Sequence, residues 1–274
     1  MIGDERPSAE RIEVLDVTIT RELAAAHRRL YPEAGSELLE VGGGTAAFMG
    51  TLPTTRVLGF GMGGPVTDQD FERLEAFYQE RHAPVVIELC PYADPSAVAG
   101  LARRGYRPAG WKQLLIRPIG ARDRDDGGPP GVRVSRALAG DLETWARLVG
   151  QGFLEGPEVD HGSRELYATI GETASNTCWI ATVEGVPAGG ACVAIQGDMA
   201  SFASTSTLRE FRRRGVHGAL IGARLAHAAS AGCRWARVAA SPGSDSQRNL
   251  ERHGFQVVYT RMKFTLDRGG AAAP

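Results

Sequence analysis

One short pattern occurs twice in the chain, ending at an aromatic residue near position 106 and again near position 255. Leu101 to Tyr106 reads Leu-Ala-Arg-Arg-Gly-Tyr, and Leu250 to Phe255 reads Leu-Glu-Arg-His-Gly-Phe. Each copy follows an apolar segment at a corresponding distance, Val85 to Cys90 in the first half and Trp235 to Ala240 in the second. This order predicts a buried strand, a short helix that ends at a glycine, and a further strand. The repeat therefore predicts two copies of one fold.

The composition limits the class of protein further. At 274 residues with 43% hydrophobic content, the chain is long enough for two domains of ordinary size. Its net charge is -1, so we expect neither a nucleic acid nor a membrane surface as a partner. The four cysteines lack metal-ligand spacing, and we expect buried thiols and no metal site. Because neither a signal-peptide pattern nor a membrane-spanning apolar run is visible, we expect a cytoplasmic protein.

The boundary between the two copies is marked by composition. Residues 119–131 are rich in glycine, proline and charged side chains and have no apolar periodicity, which predicts a linker. We therefore predict an N-terminal domain over residues 1–118 and a C-terminal domain over residues 132–268. In the second domain, three strands between residues 178 and 208 are predicted to form a meander that a helix follows.

The segment from Ser204 to Leu225 predicts a strand, a basic glycine-containing turn and a helix in immediate succession. The amides from about Arg213 to Ala219 would lie at the helix start, where the helix dipole is positive and acceptors are lacking. Three arginines, Arg212 to Arg214, stand beside these amides, so the segment predicts a phosphate site. The corresponding segment of the first half, Gly61 to Asp70, is acidic and has no arginine, and no phosphate site is predicted there.

The glycine triplet Gly42 to Gly44 has two interpretations. The residues on either side, Leu38 to Val41 and Thr45 to Met49, predict a β-hairpin. Leu39 to Thr45 also resembles the glycine-rich loop of S-adenosylmethionine-dependent methyltransferases. That loop is followed by a helix, which Pro53 would interrupt here, so the hairpin is the favoured interpretation.

Residues 132–266 resemble the GNAT superfamily of N-acetyltransferases, which use acetyl-coenzyme A. The family's pyrophosphate motif, Arg/Gln-x-x-Gly-x-Gly/Ala, matches Arg212 to His217 except that His217 replaces a small residue. Leu250 to Phe255 is similar to the family's later motif, a short helix beside the cofactor's pantetheine arm. The resemblance implies an α+β fold of two tandem GNAT-type domains, each a mixed, mostly antiparallel twisted sheet flanked by helices, with a degenerate N-terminal repeat.

The resemblance also implies which residues bind the cofactor, acetyl-coenzyme A or coenzyme A. The turn would hold its pyrophosphate, and the strand that ends at Leu208 would pair with its pantetheine arm. The Leu208 backbone amide would act as the oxyanion donor to the thioester oxygen. The implied cofactor-binding residues are Ser206, Thr207, Leu208, Arg212, Arg213, Arg214, Gly215, Val216, His217, Gly218, Ala219, Ser246 and Asn249.

The resemblance leaves the proton-transfer residues open. Many members of the family have a tyrosine in the later motif as the acid, but Leu250 occupies that position here, and Tyr259 is a further candidate. The loop from Glu155 to His161 corresponds to the family's acceptor site, and Asp160 and Glu158 are the preferred candidates for the general base.

The sequence therefore predicts an acetyl-coenzyme A dependent N-acetyltransferase, a monomer or a homodimer. The primary amine of a small molecule would attack the thioester directly. Leu250 at the acid position keeps a second possibility open, a non-catalytic or regulatory module that binds acyl-coenzyme A. A methyltransferase that uses S-adenosylmethionine through the glycine triplet is a third, less favoured possibility.

Overall fold

A computed structural model describes residues 8–124 and 128–266 of the chain. The chain forms two compact units. The described part of the first unit comprises residues 8–114 and 258–266, and that of the second comprises residues 115–124 and 128–257. Within these ranges, no helix is both long and apolar enough to cross a membrane.

Seven α-helices and eleven β-strands lie in the described residues. The helices are α1 (Ala9–Leu30), α2 (Asp68–Gln79), α3 (Pro95–Arg103), α4 (Leu142–Leu154), α5 (His161–Gly171), α6 (Val216–Ser230) and α7 (Asp245–Arg252). The strands are β1 (Glu37–Val41), β2 (Gly44–Phe48), β3 (Arg56–Leu58), β4 (Val85–Leu89), β5 (Arg107–Pro118), β6 (Val132–Arg136), β7 (Asn176–Val183), β8 (Val186–Gln196), β9 (Met199–Thr207), β10 (Trp235–Ala240) and β11 (Gln256–Leu266).

The repeated sequence pattern has the same local structure in both halves. A glycine with left-handed backbone follows each short helix, Gly105 at φ 77° after α3 and Gly254 at φ 83° after α7. Glycine adopts this conformation without strain, which explains why it ends both helices. The aromatic residues that follow, Tyr106 and Phe255, are buried. The predicted structural repeat is confirmed.

The sheet of the first unit has the strand order β1, β2, β3, β4, β11. Neighbouring strands are antiparallel except for β3 and β4. At the start of α2 a capping box is formed, in which the Thr67 hydroxyl accepts from the Asp70 amide and the Asp70 carboxylate accepts from the Thr67 amide. The buried core of this unit includes Phe60, Phe71, Leu74, Tyr78, Ile87 and Leu101.

The glycine triplet forms the turn of a hairpin. β1 and β2 are antiparallel, with Val41 opposite Gly44. Gly42 and Gly43 both have positive φ, 57° and 73°, as a two-residue hairpin turn requires. A Cβ atom on Gly43 would lie 2.7 Å from the backbone nitrogen of Gly63, so the glycine also permits a close backbone approach. Because a strand rather than a helix follows the triplet, the hairpin is confirmed and the methyltransferase interpretation is wrong.

The sheet of the second unit has the strand order β6, β7, β8, β9, β10. β7, β8 and β9 form the predicted antiparallel meander, β6 is antiparallel to β7, and β10 runs parallel to β9. α4 and α6 both pack on this sheet. Trp145 of α4 is fully buried and donates its indole N–H to the Ala191 carbonyl at 3.0 Å. The sheet, α4 and α6 therefore provide the rigid frame of this unit.

The boundary between the two units does not coincide with the predicted boundary between the two domains. From Val258 onward, β11 belongs to the first unit, because it pairs with β4 there and Met262 lies opposite Leu89. β5 passes from the first unit to the second after Leu114. The last strand of the second sequence repeat thus completes the sheet of the first unit.

The segment predicted as a linker packs within the second unit. The Ile119 amide donates to the Arg234 carbonyl at 2.8 Å, and the Gly120 amide donates to the Asp123 carboxylate at 2.9 Å. Ala121–Arg124 form a short 3-10 helix that contacts α6. Residues 125–127 of the predicted linker lie outside the described residues. Hydrogen bonds of this kind hold a segment in place without the apolar periodicity that sequence analysis relies on.

A buried ion-pair cluster fixes β11 within the first unit. The Arg261 guanidinium donates to Glu13 at 2.8 Å and to Asp16 at 2.6 Å, and all three side chains are at most 5% exposed. The Tyr259 hydroxyl also donates to Glu13, at 2.7 Å. Both carboxylates belong to α1, so the cluster joins the first helix of the chain to its last strand.

Removing the Arg261 charge should destabilise the first unit strongly. In an Arg261→Met variant, Glu13 and Asp16 would remain buried without their cation, and breaking a buried pair in this way costs about 3 kcal/mol or more. We expect the free energy of unfolding in urea to fall by that amount. The matched control is Arg107→Met, an exposed arginine of the same unit, which should change the free energy by less than about 0.5 kcal/mol. Equal effects of the two variants would contradict this role.

Glu88 of β4 is a further buried carboxylate of the first unit, and three cations surround it. Its carboxylate lies 3.3 Å from Arg56 and 3.1 Å from Lys112, and Arg261 is 3.8 Å away. Burial alone would raise the pKa of Glu88, but the three positive charges outweigh burial and lower the pKa to about 2. The first unit therefore favours the ionised form of this side chain.

The lowered pKa of Glu88 predicts a specific acid sensitivity. The pKa is below its ordinary value of 4.5, so its contribution to stability is complete above pH 4.5 and is lost as the pH falls from 4.5 towards 2. In a Glu88→Gln variant the free energy of unfolding should depend less steeply on pH in this window. Urea unfolding at pH 5, 4 and 3 measures the two slopes, and identical slopes would contradict the prediction.

Candidate active site

The second unit contains a point where two adjacent strands separate. β9 pairs with β10 only over its first four residues, from Met199 opposite Trp235 to Phe202 opposite Val238. Beyond this pair β9 continues to Thr207 and β10 to Ala240 without pairing to each other. The backbone groups on that side of β9 are therefore available to an extended ligand.

A β-bulge lies in β9 directly after the separation. Cys192 of β8 pairs with Ala203, but Gly190 pairs with Ser206, so β9 carries one residue more than β8 in this interval. Ser204 has left-handed backbone at φ 51°, which is unusual for a non-glycine residue. A bulge leaves its extra residue unpaired in the ladder. Ser204 and its neighbour Thr205 thus differ from the regular strand on either side.

The Leu208 amide, predicted as the oxyanion donor, has a different partner. It donates to the Ala188 carbonyl at 2.9 Å and continues the pairing of β9 with β8. A backbone amide has one proton, and here the sheet uses it. The bulge at Ser204 lies four residues earlier and offers amides that are not regular members of the ladder.

Two hydroxyl groups predicted to bind the cofactor follow the bulge. Ser206 is buried and donates to the Leu148 carbonyl of α4 at 3.3 Å. The Thr207 hydroxyl oxygen is buried and has no hydrogen-bond partner among the described residues. An unsatisfied buried hydroxyl costs free energy, so Thr207 is suited to a ligand that supplies the missing partner.

The basic turn ends in a helix start that none of the described side chains caps. Arg213 and Gly215 have left-handed backbone, with φ 62° and 82°, and such residues arrange successive amides into a concave anion-binding surface. A Cβ atom on Gly215 would lie 2.6 Å from Pro129, so only glycine fits there. The Ala219 amide donates to the Gly215 carbonyl at 3.0 Å. The three preceding amides of α6, those of residues 216–218, have no acceptor in the described part of the chain.

The three arginines of the turn have different surroundings. Arg212 forms an ion pair with Glu155 at 2.9 Å, which ties the turn to the end of α4. Arg214 lies 3.8 Å from Glu184. Arg213 is exposed and forms no ion pair with the described residues, so its charge is the one most available to an anion.

His217, which replaces a small residue, contacts α7. Its Nδ1 lies 3.1 Å from the Asn249 side-chain nitrogen, so two predicted cofactor residues meet. Burial, then the charges of Arg224 and His253, lowers the pKa of His217 to about 4, and the imidazole is neutral at pH 7. The third predicted residue of this group, Ser246, is exposed on α7.

Leu250 is part of the hydrophobic core of the second unit. It is 2% exposed and packs in a cluster with Phe202 and Phe255. The side chain at this position of α7 therefore points into the core. Because it is a leucine, it has no proton to donate.

The two preferred candidates for the general base have different surroundings. Asp160 caps α5 and accepts from the Ser163 hydroxyl at 2.7 Å and from the Ser163 amide at 2.9 Å. These hydrogen bonds lower the pKa of Asp160 below its ordinary value. Glu158 is exposed and has no partner among the described residues. Tyr259, the candidate acid, belongs to the first unit, where it donates to Glu13 and burial raises its pKa.

Two residues of this region, Ser204 and Arg224, were not predicted from the sequence as part of the site. The unpaired backbone of Ser204 has no sequence signature, because nothing local distinguishes a bulge in a run of serine and threonine. Arg224 of α6 is fully buried behind the bulge. A signal for it existed, since Arg224 lies four residues after Leu220 and therefore on the apolar face of the helix.

The first unit differs at the equivalent helix start. There the Thr67 hydroxyl accepts from the Asp70 amide, and the Asp70 carboxylate accepts from the Thr67 amide and, at 3.3 Å, from the Gly42 amide. The Asp70 carboxylate thus lies at the start of α2, whereas the start of α6 has amides without an acceptor among the described residues. The acidic segment before α2 is consequently unsuited to phosphate.

Separated strands beside an uncapped helix start, in a mixed and mostly antiparallel sheet, define the second unit as a GNAT-type domain. Residues 136–255 match the model of the acetyltransferase (GNAT) family. The chain as a whole has the fold of a tandem GNAT protein.

Solved structures similar to the chain share this fold. A GCN5-related N-acetyltransferase from Kribbella flavida is 20% identical, with a TM-score of 0.66 over 92% of this chain and 96% of the other. A tandem GNAT protein from the clavulanic acid biosynthesis pathway is 16% identical, with a TM-score of 0.64 over 91% and 89%. A GCN5-related N-acetyltransferase from Sphaerobacter thermophilus is 18% identical, with a TM-score of 0.57 over 84% and 75%. No curated protein sequence matches the chain.

Reversing the charge of Arg213 should weaken binding of coenzyme A. An Arg213→Glu variant places a carboxylate at the free amides, and we expect the dissociation constant to rise about tenfold or more, with a smaller effect at high salt. Calorimetric titration at two salt concentrations measures the dissociation constant and its dependence on salt. The control Arg133→Glu reverses an exposed charge on β6 and should leave the affinity unchanged. Equal affinities of the two variants would argue against this turn as the anion site.

Proposed function

We propose that the second unit is an N-acetyltransferase that moves the acetyl group of acetyl-coenzyme A to the primary amine of a small molecule. The observation that carries this proposal is the combination of separated strands, a bulge and an uncapped, arginine-flanked helix start in one unit. Acetyl-coenzyme A would supply the acetyl group as a thioester. The first unit, whose helix start is closed by its own capping box, serves as a scaffold without a cofactor site.

The residues of the second unit offer groups of the kind that coenzyme A would need. The free amides of residues 216–218, with Arg213 beside them, would bind the pyrophosphate. The unpaired side of β9 would donate and accept hydrogen bonds along the pantetheine arm, and Thr207 would gain the partner it lacks. Asn249 and His217 would contact the same arm from α7 and the turn.

The bulge is a better source of the oxyanion donor than Leu208. The Leu208 amide already donates to Ala188, whereas a bulge leaves the amides of Ser204 or Thr205 outside the regular ladder. A donor at the bulge would lie directly where β9 and β10 separate. We therefore assign the contact to the thioester oxygen to this part of β9.

A protein acid is not essential for this reaction. A thiol has a pKa of about 8.5, so a thiolate is a good leaving group at neutral pH without protonation. The acceptor needs more assistance, because an alkylamine is protonated at pH 7 and must lose a proton before it attacks. Glu158, exposed and unpaired among the described residues, is the preferred base through a water molecule, since Asp160 is committed to capping α5.

A non-catalytic module that binds acyl-coenzyme A is the second candidate. The position of Leu250 in the core and the low basicity of Asp160 favour it. Both candidates require the cofactor turn, so they are distinguished by turnover and not by binding.

Binding and turnover measured together test the proposal. Calorimetry with coenzyme A should give saturable binding, and acetyl-coenzyme A with a panel of small primary amines should release free thiol. A Thr207→Val variant should bind coenzyme A about fivefold more weakly, the value of one hydrogen bond, whereas Thr177→Val on β7 should bind like the wild type. Binding without thiol release on any amine would support the second candidate, and absence of binding would refute both.

A further inference from the structure

Arg224 is a buried cation of α6 that does not belong to the cofactor turn, residues 212–215. It lies in the third turn of α6 and is completely buried. No carboxylate among the described residues pairs with it. Burial lowers the pKa of Arg224 to about 9, which leaves the guanidinium charged at pH 7. Burying an unpaired charge is costly, so an apolar residue of similar size would serve packing better.

The contacts of Arg224 are concentrated on the strand pair that precedes the bulge. One guanidinium nitrogen lies 3.2 Å from the Cys192 carbonyl and 3.5 Å from the Ala203 carbonyl. Cys192 and Ala203 face each other in the ladder, and the register of β8 and β9 shifts immediately after them. The guanidinium thus binds the last regular pair before Ser204.

Further contacts hold the guanidinium in one orientation. Its Nε donates to the Leu220 carbonyl of the same helix at 2.9 Å, and its carbon lies 4.4 Å from the centre of the Phe202 ring. Phe202 is the last residue of β9 that pairs with β10. The side chain therefore touches both the end of the β9–β10 pairing and the start of the bulge.

We infer that Arg224 is a positioning residue for acetyl transfer, which binds the carbonyls of Cys192 and Ala203 and so holds the bulge at Ser204 in the shape that presents its amides to the thioester. This inference rests on the proposed function of the second unit. It assigns to α6 two separate tasks, the binding of pyrophosphate at its start and the support of the bulge from its third turn.

Hydrogen exchange tests the positioning role without requiring turnover. In full-length Arg224→Met, amides in peptides covering residues 203–207 should exchange at least tenfold faster than in the wild type. Arg224→Lys, which can reach one carbonyl but not match the guanidinium, should give an intermediate rate. Leu225→Ala, a cavity variant of the neighbouring buried residue in α6, should lower the melting temperature and leave exchange at residues 203–207 within twofold.

Steady-state kinetics provide the second readout. For Arg224→Met we expect kcat to fall about tenfold or more, while the dissociation constant of coenzyme A stays within twofold, because the turn that binds pyrophosphate is unchanged. Arg224→Lys should recover part of kcat. If Arg224→Met does not fold, Arg224→Lys decides the question through both readouts.

The two proposals fail in different ways. Wild-type exchange at residues 203–207 in Arg224→Met or Arg224→Lys would overturn the positioning role, and so would a loss of kcat that Leu225→Ala reproduces. A wild-type chain that binds no coenzyme A would instead overturn the proposed function, and the exchange measurement would remain valid.

Discussion

The pairing of the last strand with β4 is the constraint on which the first unit depends. Arg261 and Tyr259 reach carboxylates of α1 that lie more than 240 positions earlier in the chain, and these contacts are buried. Contacts of such sequence separation form late in folding, because a long loop must close first. The first unit therefore cannot complete its sheet until the end of the chain has been synthesised. Although the chain carries a sequence repeat, its first unit is not built from the first repeat alone, because it contains most of β11.

Each unit contains a helix that starts after a glycine-containing loop, and a few residues decide what that helix start can bind. In the first unit Thr67 and Asp70 form a capping box, in which each side chain accepts from the other residue's amide. In the second unit Gly215 occupies the cap position, and the amides of residues 216–218 have no acceptor among the described residues, with Arg213 nearby in the chain. The helix dipole is the same in both cases. Local capping, and not the fold, therefore distinguishes the two helix starts.

The features that the sequence predicts well are those with local causes. The glycines at 105 and 254, the hairpin at Gly42 and Gly43, and the turn before α6 each follow from the backbone conformation that a few neighbouring residues require. The features that it misses depend on pairing between distant segments. Nothing in β11 indicates that it pairs with β4, nothing near Ser204 indicates a bulge, and the engagement of the Leu208 amide follows from the register of β8. Arg224 could be predicted only in part. Its position on an apolar helix face is visible in the sequence, but the carbonyl groups that it binds are not.

The positive charge of Arg224 also influences the start of its own helix. After burial, it is the next cause that lowers the pKa of His217 to about 4, so its field reaches the cofactor turn. A neutral His217 can share a hydrogen bond with Asn249 without adding a charge that varies with pH. The positive potential at the turn then arises from groups that do not titrate near neutrality, the free amides and the arginines.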